Sequence, residues 1–143
     1  MLCAPLNGAV TSGLLDRSMA RTSPTRVLFV EDEPLLGELV THALTHFGFD
    51  VMTVENAPAA LRHVESRASV DLMFTDIVLP GTMDGAELAM RARHLRPEMP
   101  IIYASAYHSA AELDPLVPRS IFVPKPYNPL DLCALFNRIA PAL

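Results

Sequence analysis

Short apolar runs that alternate with helix-spaced segments constrain this chain most, because VLFV, DLMFT, PIIYA and SIFVP each stop at a polar residue. Glu31 and Asp32 follow the first run, Asp76 the second, Ser105 the third and Lys125 the fourth. A continuous apolar run of this length suits a strand buried on both faces, as in a parallel sheet covered by helices. In such sheets ligands bind outside the carboxyl ends of the strands, where the strand order reverses. One sheet edge is therefore expected to gather all five polar groups.

The intervening segments fit this plan. Strands are expected over 27–30, 49–54, 70–75, 101–104 and 121–123. Pro34 stands at a suitable first helical position, Leu36, Leu39, Val40, Ala43, Leu44 and Phe47 recur at spacings of three and four, and Gly48 stands where a helix-terminating glycine belongs. Further helices are expected over 57–67 and 85–95, with a weaker one over 108–114, and Leu132, Leu135, Phe136 and Ile139 mark the inner face of a closing helix. Strand and helix alternating in this way predict an α/β doubly wound, five-stranded parallel sheet in the order 2-1-3-4-5, with right-handed crossovers. Residues 1–24 carry Pro5, Gly8, Gly13 and Pro24 with no period and read as a flexible N-terminal extension, leaving 25–143 as one folded domain.

Composition narrows the function classes. With 143 residues, 50% of them hydrophobic and 19% charged, the chain suits a single packed core. A net charge of -5 with only 11 Lys and Arg residues argues against a nucleic-acid surface. Cys3 and Cys133 lie at opposite ends, so neither a disulfide framework nor a metal spacing is present. No run of about 18 apolar residues and no basic n-region are present, which points to a cytoplasmic protein without a membrane segment. His42, His46, His63, His94 and His108 show no mutual ligand spacing.

Strands one and three are neighbours in the expected order, which places Glu31 and Asp32 beside Asp76. Three clustered carboxylates repel one another, and either raised pKa values or a hard cation relieves the repulsion. An all-oxygen set without Cys or His suits Mg²⁺. A single aspartate after a strand is an ordinary loop residue, whereas three acids at two adjacent strand ends are not. Asp76 is the natural nucleophile for covalent phosphoryl transfer, Lys125 the group that neutralises the transferred phosphoryl, and Ser105 a hydroxyl donor to its oxygens.

The segments VLFVEDEP, DLMFTDIVLPG, PIIYASA and FVPKPYNP together resemble the response-regulator receiver domain of bacterial two-component signalling, over residues 25–143. The resemblance implies that Asp76 is the phosphoacceptor and that Glu31, Asp32, Asp76 and the backbone carbonyl of Val78 hold Mg²⁺. It also implies that Lys125 contacts the phosphoryl group, that Ser105 is the switch hydroxyl, that Phe122 is the aromatic switch residue and that Lys125-Pro126 is a cis peptide. The implied partners are a histidine kinase or histidine phosphotransfer protein upstream and an unidentified protein downstream, for a single-domain regulator that is not an enzyme in its own right. A phosphate-independent interaction module and a metal-dependent phosphohydrolase are the alternatives. The second would need a further acid where Val78 stands. Three departures from the family pattern stand out: a loop GTMD one residue longer than usual between Pro80 and Gly85, a short segment from Ser105 to Lys125 with Pro115 and Pro118, and the large Tyr107.

Overall fold

The computed structural model describes residues 23–106 and 117–140. Its elements in chain order are β1 (Arg26–Val30), α1 (Pro34–His46), β2 (Asp50–Val54), α2 (Ala57–Glu65), β3 (Leu72–Asp76), α3 (Gly85–Leu95), β4 (Ile101–Ser105), β5 (Ser120–Pro124) and α4 (Pro129–Ile139). The strands form one parallel sheet in the order β2-β1-β3-β4-β5, as the sequence pattern predicts. The expected helix over 108–114, with Tyr107, and nearly all of the expected N-terminal extension lie outside the described residues.

Apolar side chains alternate between the two faces of the sheet and are covered on both. Leu28, Val30, Met73, Ile101 and Tyr103 pack under α2 and α3 through Ala60, Val64, Leu88 and Ala92. Val27, Phe29, Leu72, Phe74 and Ile102 pack under α1 and α4 through Val40, Leu44, Leu132, Cys133 and Phe136. Cys133 is thus a small buried side chain in this second core. Phe29 and Phe74 stack across β1 and β3 with centroids 5.1 Å apart, and Phe136 meets Phe74 edge-on at 5.5 Å. The rigid aromatic block lies directly beneath the strand ends that carry the acids.

Local side-chain chemistry sets the element ends. β3 starts two residues later than the apolar run suggests. The Asp71 carboxylate accepts the Arg26 N–H at 2.7 Å while its own N–H donates to the Arg26 carbonyl at 2.8 Å, so a side chain stands in for a strand partner. α2 stops at Glu65, short of the expected 67. The Ser66 hydroxyl donates to the His63 carbonyl at 2.6 Å and accepts the Ala68 N–H at 3.1 Å, turning the chain out of the helix. Asn56, Asp84 and Asn128 each accept a first-turn N–H of the helix that follows. Gly48 adopts φ +95° after α1, the left-handed conformation that a helix-terminating glycine supplies.

Because Phe74 is fully buried and touches three other rings, Phe74→Ala should cost about 3–5 kcal/mol of stability. Urea unfolding is expected to show a lower midpoint with an unchanged slope, whereas a midpoint within experimental error of the parent would rule out this block as the core of the sheet.

Candidate functional site

Parallel register carries the sheet edge to the site. Val30 pairs with Thr75, so Glu31 and Asp76 come next on adjacent strands, and Asp76 pairs with Ala104 and Ser105 with Pro124. The ladder continues past the strand ends: Glu31 N–H donates to Val54 O, Ile77 N–H to Ala104 O and Lys125 N–H to Ser105 O, each at 3.0 Å. The backbone that presents Glu31, Asp76, Ser105 and Lys125 is therefore held by the sheet itself.

Glu31, Asp32, Asp76, Val78, Ser105 and Lys125 all line one open cleft of about 620 Å³, which Glu33, Pro34, Leu36 and Ala106 complete. Glu31, Asp76 and Ser105 are buried, whereas Asp32 and Val78 are exposed at its mouth. One carboxylate oxygen from each of Glu31, Asp32 and Asp76 lies within 4.8 Å of the others, among the described residues. Lys125 Nζ sits 2.7 Å from Asp76 Oδ1 and donates to Glu31 Oε1 at 3.4 Å. The Lys125-Pro126 peptide is cis, as the resemblance implies.

Electrostatics follow from burial of like charges. Desolvation, and then the hydrogen bond and charge of Asp76, push the Glu31 carboxyl up from 4.5 to about 7, against the Glu33 N–H and the Lys125 charge, which favour ionisation. The Glu33 N–H donates to Glu31 Oε2 at 3.1 Å. Burial works to lower Lys125, but its hydrogen bond to Asp76 and the charges of Asp76 and Glu31 outweigh it and raise the pKa, keeping the ammonium charged. Three oxygen ligands with no nitrogen or sulfur, one of them exposed to water, match the preference of Mg²⁺ for carboxylates together with retained waters. The carboxylates can hold that ion.

Phe122 lies away from the cleft, half-buried against the core beside its register partner Tyr103. His42, His46 and His94 are exposed, and none of the described histidines joins the acid cluster. Two groups escaped the sequence reading. Glu33 contributes a backbone N–H, which no side-chain pattern reveals. Tyr127 packs edge-on against Phe74 at 5.4 Å, with a buried hydroxyl that has no hydrogen-bond partner among the described residues. Burial, then the charges of Glu31 and Asp76, raise the pKa of that phenol. Its position after Pro126 gave no periodic signal.

Comparison with known proteins agrees with this geometry. Residues 27–137 match the response regulator receiver domain. The sensory transduction protein RegX3 of Mycobacterium bovis is 35% identical over 119 residues, covering 80% of this chain and 50% of that protein, so the chain spans about half the length of this relative. A response regulator receiver protein of Sinorhizobium medicae superposes with a TM-score of 0.75 at 30% identity, over 81% of this chain and 94% of that one. The chemotaxis response regulator CheY4 of Vibrio cholerae superposes at 0.73 with 25% identity, over 82% and 99% of the two chains. With the sheet order, the acid cluster and the matched span in agreement, this chain belongs to the response regulator receiver domain family.

Proposed function

We propose that the chain accepts a phosphoryl group on Asp76 from a histidine kinase or histidine phosphotransfer protein and that the modification alters a protein-binding face. The observation that carries this reading is the Lys125 ammonium 2.7 Å from Asp76 Oδ1, inside a cleft where the Glu31 and Asp32 carboxylates cluster with Asp76. In the transfer, a carboxylate oxygen of Asp76 attacks phosphorus. The new O–P bond forms as the N–P bond of the donor phosphohistidine breaks, and the electron pair leaves on the imidazole. Mg²⁺, held by Glu31, Asp32, Asp76 and the Val78 carbonyl, would supply charge neutralisation to the transferred group. Lys125 leaves its ion pair with Asp76 to meet the phosphoryl oxygens. The Ser105 hydroxyl, buried at the adjacent strand end, donates to another, drawing on the segment that leads to Phe122.

Asp76→Asn should abolish Mg²⁺-dependent labelling from a phosphorylated kinase or from acetyl phosphate. Undiminished labelling of that variant, or labelling of the parent in excess EDTA, would sink the assignment. Millimolar Mg²⁺ should stabilise the parent by roughly 1 kcal/mol when the ion is several-fold above its Kd. Asp32→Asn should lose most of the resulting rise in Tm.

In the metal-free protein, Glu31 should contribute a loss of stability as pH rises. Folded Glu31 keeps its proton up to about pH 7, while the unfolded chain releases it near 4.5. Between these values the folded state binds more protons, so stability falls as pH rises through the window. In EDTA, Glu31→Gln should remove a loss on the order of 2–3 kcal/mol between pH 4.5 and 7. Parallel urea-unfolding profiles for parent and variant would show that the buried pair is not strained.

A further inference from the structure

Resting on the phosphoacceptor reading, we infer that Thr75 and Gly85 form a clamp on the backbone of Asp76 and act as positioning residues for phosphoryl transfer. Thr75 is the one polar side chain between Leu72 and Asp76 and is wholly buried. By strand alternation it faces the α2 and α3 side of the sheet. Its hydroxyl donates to the Asp76 carbonyl at 2.8 Å. On that same face, the first residue of α3 closes on the same peptide. A Cβ built on Gly85 would lie 1.9 Å from Asp76 O and 2.8 Å from Asp76 C, so only glycine allows the approach. Gly85 N–H then donates to Ile77 O at 2.7 Å, and Ile77 N–H is already committed to Ala104 O at 3.0 Å.

The peptide that follows the reacting residue is thus held at its carbonyl by Thr75 and at its N–H by Ala104, and the next carbonyl, that of Ile77, is held by Gly85. Asp76 is the last residue of β3, where sheet pairing alone constrains only one side of the chain. Rotation of this peptide would swing the Asp76 carboxylate away from Lys125 and from the line of attack on phosphorus. Misplacement of a reacting group by about 1 Å costs on the order of a hundredfold in rate. A buried hydroxyl at position 75 therefore serves the reaction as well as the core.

Thr75→Val carries the test, because it nearly keeps the shape of the side chain and removes the hydroxyl, whereas Gly85→Ala forces a backbone collision. Labelling by acetyl phosphate at saturating Mg²⁺ is measured for parent, Thr75→Val and Thr75→Ser, with circular dichroism to confirm folding. The expected result is a maximal rate about tenfold lower for Thr75→Val, with an unchanged half-saturating donor concentration, and recovery to within about twofold of the parent in Thr75→Ser. Thr75→Val at the parental rate overturns the clamp, as does an equal loss in both variants, which would assign the effect to packing rather than to the hydroxyl. Absence of Mg²⁺-dependent labelling in the parent overturns the phosphoacceptor reading itself and the clamp with it.

Discussion

Two carboxylates, Glu31 and Asp76, are buried side by side at the ends of neighbouring strands, and everything around them answers that unfavourable fact. Water cannot screen them, so one retains its proton toward neutrality and a lysine is drawn between them. Removing a single partner from such a set leaves an uncompensated buried charge, which costs more than the set as a whole is worth to stability. The arrangement is better understood as stored electrostatic demand than as a source of stability. In the proposed function, a cation or a tightly coordinated phosphoryl group satisfies that demand from outside.

The rest of the fold keeps this cluster from relaxing. If β1 and β3 could slip by one residue, every side chain would change face and the acids would separate. Filled aromatic packing below them and helices on both faces forbid the slip. At the opposite edge of the sheet, Asp71 engages the Arg26 backbone and the Arg96 guanidinium reaches the carbonyls of Val64, Ser66 and Ala68. Polar side chains there engage the protein's own backbone, whereas at the carboxyl edge Lys125 pairs with the carboxylates of Asp76 and Glu31.

Much of this was legible in the chain. Continuous apolar runs gave the strands because both faces of the sheet are covered, and the polar residue that closes each run could then be assigned to one edge. Cleft membership of Glu31, Asp32, Asp76, Val78, Ser105 and Lys125 follows from that alternation and from the receiver resemblance together. Element ends were less legible, because Asp71 and Ser66 act through hydrogen bonds to backbone groups that no period encodes. Leu39 and Phe47 also fit the helical spacing of α1, yet both are largely exposed, since spacing alone does not say how wide a helix face the sheet will cover. The importance of Gly85 was invisible for a similar reason: an absent side chain carries no pattern, only a space that another atom fills.

The loop between β3 and α3 carries a further consequence. It leaves the sheet at Asp76 and is fastened back onto Ile77 by Gly85, while Gly81 within it adopts φ +91°. Such a loop is a handle bolted at both ends to one point. Leu79 and Met83 pack it down onto the core under α2 and α3, which leaves Pro80, Gly81 and Thr82 as its exposed crest. A change in that crest leaves the Gly85–Ile77 fastening in place, and with it the backbone that presents Asp76.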